Sequence, residues 1–352
     1  MVQNMTDFIE GTLKKMVKIK SVSYESMDDI IEFVDGLLTE IGVKTRVITG
    51  EKHAPVLMGS RGDRGVCFSG HLDTVPLGDG WTKKQGEIVD GKMYGRGALD
   101  MKGPCVSVIA AARRMVEQDI PFSVVFSTDE EVSMAGAYAV RNEREITDAP
   151  AVVVCEPTDM LVANSEKGVY QFEIVVRGKN AHASMPELGE NALMKLFPML
   201  VKIGAKGNVP AGDKLSCCVN VIKGGSATNV IPEICRAEVD VRFPSTYNRD
   251  SLKQYLFSDI EGDYELNTIQ YLDSVFIDEG KECIQNMLEL SKTDTWSVPY
   301  GTEMVMFGKT NENTFIFGPG EVHSAHQPDE WVDLKALRDV VDIYVDYARS
   351  MG

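Results

Sequence analysis

Residues 65–76 read GVCFSGHLDTVP, a short apolar run that ends at a histidine and an aspartate. Three later segments repeat this arrangement: FSVVFSTDEE at 122–131, AVVVCEP at 151–157 and TFIFGPGEVHSAH at 314–326. Continuous apolar runs that alternate with helical stretches are typical of strands buried on both faces of a mostly parallel sheet. The sequence therefore predicts an α/β protein with such a sheet and with helices on both of its faces.

Helical periodicity predicts the elements around these strands. Amphipathic helices are expected within the first 42 residues, from Pro104 to about Gln118, and over 333–350. From about 168 to 272 the pattern changes to alternating strands at 171–178 and 234–243, with helical stretches near 189–203 and 250–258. We therefore predict one domain in two parts, 1–167 and 273–352, interrupted by an inserted α+β domain at 168–272.

Composition excludes several classes of protein. The 352 residues contain 36 Lys and Arg against 53 Asp and Glu, a formal net charge of −17, which disfavours nucleic acids and anionic membranes as partners. No apolar run approaches the roughly 18–20 residues of a membrane span, and the start MVQNMTDFIEG does not resemble a signal peptide. Seven cysteines, an odd number without a C-x-x-C pair, favour reduced thiols and a cytoplasmic location.

Acidic or imidazole side chains follow each of the four apolar runs. Because the carboxyl ends of parallel strands gather at one edge of a sheet, we expect these side chains to converge there. A fifth acid comes from the Gly-rich turn GRGALDMKGP at 95–104. The candidate metal ligands are His71, Asp100, Glu131, Glu156 and His326.

Imidazole and carboxylate ligands without cysteine suit Zn²⁺, with Co²⁺ or Mn²⁺ as substitutes. Five ligands are too many for one tetrahedral catalytic site and suit two metal ions that share a carboxylate. Glu130 and Glu131 are neighbours beyond a strand end, so one can bind metal while the other acts as a general base. A single such residue is more often a cap or a surface group, but four strand ends together favour the metal site. His323 is the less favoured of the two terminal imidazoles.

The motifs SGHLDTVP, GRGALDMKG, STDEE, CEPT and GPGEVHSAHQPDE resemble the M20 metallopeptidase family in order and spacing, along nearly the whole chain. The resemblance implies two ligand sets that share one aspartate: His71, Asp100 and Glu156, and Glu131, Asp100 and His326. It makes Glu130 the general base and Asp73 the residue that orients His71; a turn cap is the alternative for Asp73. It also implies a cis peptide bond between Asp100 and Met101.

The insertion resembles the lid and dimerisation domain of the family. In RGKNAHASMPELGENA at 177–192, His182 takes the position of a histidine that reaches the partner's active site and stabilises the oxyanion. Asn229 and Arg242 match lid residues that contact substrate, and a guanidinium fork suits a substrate carboxylate. An exposed loop histidine and a surface arginine are the competing interpretations.

Within the family, Glu156, GTE at 301–303 and AHQPDEW at 325–331 resemble acetylornithine deacetylases. The expected activity is metal-dependent removal of an acyl group from a small N-acyl amino acid by a homodimer. Alternatives in the same family are a succinyl-diaminopimelate desuccinylase, a carrier-linked acyl-lysine hydrolase and a dipeptidase. A metal-binding protein without catalysis and a two-metal phosphoesterase are the alternatives from other classes; Glu130 disfavours the first, and the small number of cationic groups in the motifs disfavours the second.

Overall fold

The computed structural model describes residues 4–50, 54–207 and 215–352, which fold into two units. The first unit comprises Met1–Asn164, Ile277–Ser297 and Thr302–Gly352, and the second comprises Ser165–Phe276 and Val298–Gly301. The predicted insertion at 168–272 lies inside the second unit, and its role as a lid stays a prediction.

The helices are α1 Met5–Met16, α2 Asp28–Glu40, α3 Lys102–Glu117, α4 Ala135–Val140, α5 Arg144–Thr147, α6 Ala192–Ala205, α7 Arg249–Phe257, α8 Glu282–Ser291, α9 Met304–Phe307 and α10 Leu334–Met351. The strands are β1 Lys44–Thr49, β2 Pro55–Arg61, β3 Val66–His71, β4 Glu87–Val89, β5 Lys92–Tyr94, β6 Phe122–Ser127, β7 Val152–Val154, β8 Val162–Glu166, β9 Gly168–Arg177, β10 Ala181–His182, β11 Ser216–Gly224, β12 Val230–Ile231, β13 Ile234–Phe243, β14 Glu265–Leu272, β15 Val275–Phe276, β16 Thr295–Val298, β17 Thr314–Ile316 and β18 Trp331–Asp333. Within the described ranges, no helix combines the length and the apolarity that a membrane span requires.

Four parallel strands form the centre of the first unit. They lie in the order β6–β3–β7–β17, and β2 and β1 extend the sheet antiparallel beyond β6. Every position of the four central strands is buried. These strands are the four apolar runs of the sequence, so the predicted α/β class with a parallel sheet centre is confirmed.

Helices cover both faces of this sheet. Ser69 and Gly70 are neighbours in β3, so their side-chain directions point to opposite faces. A Cβ atom at Gly70 would lie 2.9 Å from the Cys105 Sγ of α3, which places α3 on that face and explains the glycine. Ser69 donates a hydrogen bond to Glu303, directly before α9, on the other face.

In a small antiparallel sheet, β18 pairs with β5 and β5 pairs with β4, which places the segment around β18 next to the loop before α3. Trp331 pairs with Tyr94, and the Gly95 amide donates to the Glu330 carbonyl oxygen at 2.9 Å. This sheet is not among the predicted elements, because three-residue strands are too short to show a periodicity.

The second unit is built on an antiparallel sheet in the order β11–β13–β9–β14. Side chains of β13 alternate between buried and more exposed positions, as the sequence pattern predicts. The apolar side of this sheet packs with α6 and α7 into one core, which includes Phe172, Leu196, Val239 and Leu252. Asn191 caps α6 and Asn248 caps α7 through side-chain oxygens that accept backbone N–H groups.

Candidate metal centre

Side chains from separate segments of the first unit meet at the carboxyl edge of the four parallel strands. His71 is the last residue of β3, Glu130 and Glu131 follow β6, and Glu156 follows β7. His326 comes after β17 and a short 3-10 helix. The shared direction of the strands brings these residues together.

His71, Asp100 and Glu156 form the first group of candidate ligands. The His71 Nε2 lies 3.1 Å from the Asp100 Oδ1 and 3.5 Å from the Glu156 Oε1. One donor atom of each residue lies within 4.8 Å of the other two. His71 and Glu156 are buried, so this group is shielded from solvent.

Asp100, Glu131 and His326 form the second group. The His326 Nε2 lies 3.1 Å from the Asp100 Oδ2 and 3.0 Å from the Glu131 Oε2. The side chain of His326 is 49% exposed, so this group faces the solvent side of the edge. Asp100 presents Oδ1 to the first group and Oδ2 to the second, which is the arrangement of a bridging carboxylate.

The spacing of these atoms fits metal coordination. Ligand atoms at 2.0–2.1 Å from one tetrahedrally coordinated zinc ion are about 3.3 Å apart, and the histidine-to-carboxylate separations span 3.0–3.5 Å. Among the described residues, His323 belongs to neither group. The donor set therefore fits two divalent cations that share Asp100.

Glu130 lies beside the ligands but outside both groups. Its Oε2 is 4.0 Å from the His71 Nε2, and its side chain is 10% exposed. Burial, opposed by His71 and reinforced by Glu156 and Glu131, raises the pKa of Glu130 well above its usual range. A carboxylate with a raised pKa beside a metal centre can both accept and return a proton near neutral pH.

The cluster holds more acid than base. Hydrogen bonds to Asp100 and Glu131 raise the pKa of His326 to about 10. Burial lowers the pKa of His71, but Glu156 and Asp100 together raise it well above its usual range. The imidazoles thus stay protonated unless another positive charge compensates the carboxylates, and bound divalent cations would supply that charge.

Asp73 connects the first group to the loop after β6. Its carboxylate accepts a hydrogen bond from the Ser23 Oγ at 2.7 Å and from the amides of Glu130 and Glu131 at 3.2 and 3.3 Å. The His71 Nδ1 is 2.9 Å from the main-chain oxygen of Asp73 and 3.5 Å from its carboxylate. The main-chain oxygen is therefore the closer acceptor for the ring, a detail that the sequence does not predict.

A buried ion pair supports Asp100. Glu330 accepts hydrogen bonds from the amides of Leu99 and Asp100 at 3.0 and 3.2 Å, and its other oxygen lies 2.6 Å from the Arg96 Nη1. Burial raises the pKa of Glu330 to about 7. The peptide bond between Asp100 and Met101 is cis, in agreement with the resemblance. Apart from its place in the motif GPGEVHSAHQPDE, nothing in the sequence indicates a role for Glu330.

A second buried acid was also missed. Glu303 is 1% exposed and accepts hydrogen bonds from Ser69 and Ser127, which belong to β3 and β6. In the sequence, GTE at 301–303 contributes only to the resemblance to acetylornithine deacetylases, because no periodicity or spacing links Glu303 to the strand ends.

The remaining predicted site residues belong to the second unit. His182 is exposed; it pairs with Val230 where β10 meets β12, and the adjacent Ala183 amide donates to the Asn229 carbonyl oxygen at 2.9 Å. The fold therefore brings His182 and Asn229 together within this unit. The His182 Nδ1 is 2.8 Å from the Ser184 Oγ.

The guanidinium of Arg242 is already paired. Its Nε and Nη2 donate to the two carboxylate oxygens of Asp240 at 2.8 and 3.0 Å. Gln171 donates to the same carboxylate. A substrate carboxylate would have to replace Asp240 at this fork, a competition that the sequence pattern does not reveal.

An α/β fold with imidazole and carboxylate side chains grouped at the edge of its sheet is the arrangement expected of a metal-dependent hydrolase. The model of the family described as "Peptidase family M20/M25/M40" matches residues 67–350, and the chain belongs to this family. It is accordingly an enzyme of the hydrolase and peptidase class, in a metal-dependent family.

Curated relatives of the chain include deacetylases and desuccinylases. An acetylornithine deacetylase from Myxococcus xanthus is 26% identical over 356 residues, which cover 94% of this chain and 93% of the relative. A probable succinyl-diaminopimelate desuccinylase from Staphylococcus epidermidis is 25% identical over an alignment 390 positions long, gaps included, which covers 96% of each chain. These identities show family membership and leave the substrate open.

Solved structures show the same fold. A tripeptidase from Staphylococcus aureus superimposes with a TM-score of 0.84 at 18% identity, over 98% of both chains. A dinuclear metal-binding M20 peptidase from Bacillus subtilis superimposes with a TM-score of 0.73 at 16% identity, over 98% of this chain and 97% of that chain. At these identities the likeness concerns the fold.

The two terminal histidines provide a matched test of the metal centre. Replacing His326 by alanine removes a ligand of the second group only, so we expect bound metal to fall from about two ions per chain to about one. His323→Ala removes a neighbouring imidazole outside both groups and should leave the metal content unchanged. Elemental analysis of the purified proteins after dialysis against zinc measures both. Equal metal content in the two variants would contradict the assignment of His326.

Proposed function

We propose that this protein is a zinc-dependent amidohydrolase that removes the acyl group from an N-acyl amino acid, most similar in activity to acetylornithine deacetylases. The observation that carries the proposal is Glu130, a carboxylate only 10% exposed that lies beside two ligand groups and is part of neither. Zinc follows from the imidazole and carboxylate donors; cobalt and manganese are accepted by such sites. The relatives named deacetylase support the acyl chemistry.

His71, Asp100 and Glu156 would hold one ion, and Glu131, Asp100 and His326 the other. When bound, a pair of divalent ions polarises the scissile carbonyl and lowers the pKa of water. Asp73 holds the ring of His71 and the loop of Glu130 and Glu131 in place through the hydrogen bonds described above. The ligands are thus fixed before substrate binds, which limits the reorganisation that the reaction requires.

Glu130 would remove a proton from the attacking water and return it to the leaving amine. Its position suits both steps, because a carboxylate beside the ligand groups but outside them is free to accept a proton and to return it. The bond that breaks joins the acyl carbon to the amine nitrogen; the bond that forms joins that carbon to the water oxygen. The products are a carboxylic acid and a free amino acid.

His182, Asn229 and Arg242 would act on the substrate from the second unit. We assign His182 to the oxyanion of the tetrahedral intermediate and Asn229 to the substrate beside it. Arg242 would bind the carboxylate of the amino acid, provided that it exchanges its partner Asp240. The exposure of His182 and its position next to Asn229 support an outward-facing role.

We propose a homodimer in which each second unit supplies His182 to its partner. Support comes from α6, where Met194, Phe197 and Val201 are 65%, 54% and 62% exposed at helical spacing. The opposite side of α6 packs into the core of the second unit, as with Leu196 and Ile203. A helix with two apolar sides needs a second partner, and another copy of the chain would cover the outer one.

Other members of the family remain alternatives: a desuccinylase, a carrier-linked acyl-lysine hydrolase and a dipeptidase. One methylene changes binding by only about 1–3 kcal/mol, so these substrates differ by small groups that no motif specifies. A phosphoesterase is disfavoured, because Arg96 pairs with Glu330 and the buried Lys102 donates to the Met16 and Ile19 carbonyl oxygens. A panel of N-acetyl and N-succinyl amino acids, dipeptides and a phosphate monoester, assayed after zinc add-back, separates these activities.

Glu130→Ala should lower turnover by about 10²- to 10⁴-fold, because the general base is removed. The variant should keep its metal ions, since Glu130 lies in neither ligand group. Glu117→Ala removes an exposed carboxylate of α3 and serves as the control. Turnover and metal content are measured on the same samples. Turnover of Glu130→Ala within a few-fold of the parent would exclude the assigned role.

His182→Ala should lower turnover by about 10²- to 10³-fold, the usual loss for one donor to an oxyanion. Because the residue is exposed and lies in neither ligand group, metal content and thermal stability should not change. Steady-state kinetics with the best substrate of the panel measures the effect. An unchanged turnover number would make His182 an ordinary loop residue.

Phe197→Glu places a charge in the outer apolar stripe of α6 and should convert the dimer to monomers with reduced turnover. Ile88→Glu is the matched control, because it alters an exposed apolar residue of the first unit. Light scattering coupled to size exclusion reports the mass, and kinetics reports the activity. A dimer that survives Phe197→Glu would argue against this surface, and a fully active monomer would argue against a partner-supplied His182.

A further inference from the structure

Glu303 is a buried carboxylate that the proposed reaction does not use. Its Oε2 accepts a hydrogen bond from the Ser69 Oγ at 3.0 Å, and its Oε1 accepts one from the Ser127 Oγ. Each hydroxyl has a single proton to donate, so both protons point at the carboxylate. Burial raises the pKa of Glu303, whereas the two serine hydrogen bonds lower it and favour the ionised form, because hydrogen bonds to a charged acceptor are stronger than those to a neutral one.

The two serines place Glu303 on the side of the sheet that carries His71. Ser69 and His71 are two positions apart in β3 and therefore share a face. Ser127 is the direct partner of His71 in the parallel pairing of β3 with β6. Glu303 thus links the ends of two neighbouring strands, one of which ends at His71 while the other leads to Glu130.

An ionised Glu303 would affect the pKa values of side chains in the metal centre. Glu303 interacts electrostatically with His71, Glu130 and Glu156. Both side chains that donate hydrogen bonds to Glu303 are uncharged. An ionised carboxylate is costly to bury with uncharged partners alone, and bound cations at the centre would compensate its charge.

We propose that Glu303 is a positioning residue of the metal centre, which fixes the ends of β3 and β6 and strengthens metal binding at His71 through its buried negative charge. The proposal rests on the metal centre proposed above. It gives the chain an acid that binds no metal and touches no substrate, yet sets the affinity of the first ligand group.

The test measures zinc affinity of the metal-free, full-length protein by competition with a chromophoric chelator. Glu303→Gln keeps the size of the side chain and removes its charge, and should weaken the tighter zinc site by about 10- to 100-fold, the range for groups that support metal ligands. The unfolding temperature of the metal-free variant should stay close to that of the parent, because the amide fills the same volume and can still form hydrogen bonds with both serines.

Asn311→Ala is the structural control. It removes a buried side chain that donates to the Ile146 and Ala149 carbonyl oxygens, and should lower the unfolding temperature without altering zinc affinity. Ser127→Ala keeps the charge of Glu303 but removes one of its two donors, and should weaken zinc binding several-fold. This variant decides the question if Glu303→Gln does not fold.

Parental zinc affinity in Glu303→Gln, or in Ser127→Ala where only that variant folds, would overturn the proposal. So would a Glu303→Gln protein that loses stability in the metal-free state and keeps its affinity, since that result describes a purely structural acid. A wild-type chain that binds no zinc would overturn the metal centre and this inference together, and it is distinguished from the other failures because the parent alone reveals it.

Discussion

Buried negative charge at one edge of a parallel sheet is the constraint on which this structure depends. Asp73, Glu156 and Glu303 are buried near a buried imidazole, His71, and the side chains of Asp100 and Glu130 beside it are only 15% and 10% exposed. Such a group of acids raises the free energy of the folded chain unless cations or protons compensate it. The arrangement has a function in return, because four strands that end at the same edge bring side chains from distant parts of the sequence into one small volume.

Hydrogen bonding divides these acids into two kinds. Asp100, Glu131 and Glu156 present oxygens to imidazole nitrogens, in the geometry of ligands. Asp73 and Glu330 use theirs on backbone amides, so they determine where the ligand loops lie. Supporting groups of this kind commonly change metal affinity and activity although they bind no metal.

Much of the fold could be predicted because the spacing of apolar residues in the sequence indicates which positions are buried. The four central strands and the alternating strand at 234–243 show as apolar runs or as a period of two, and the residues after those runs give the candidate ligands. Glu303 and Glu330 could not be found in this way. Their roles come from contacts with residues 176 to 234 positions away, and β18, which follows Glu330, is too short to show a pattern. The pairing of Arg242 with Asp240 is likewise a matter of side-chain geometry.

Chemistry and selectivity depend on different parts of the chain. Deacetylation, desuccinylation and peptide hydrolysis all break an amide bond, so the proposed metal ligands and the proposed general base would serve each of them. Substrates are distinguished by groups that flank the amide, and the candidates to read those groups, Asn229 and Arg242, belong to the second unit. Arg242 is paired with the carboxylate of Asp240, so a substrate carboxylate that took its place would gain only the difference between the two interactions. Selectivity in this chain should therefore respond to changes at Asp240 that leave the metal ligands untouched.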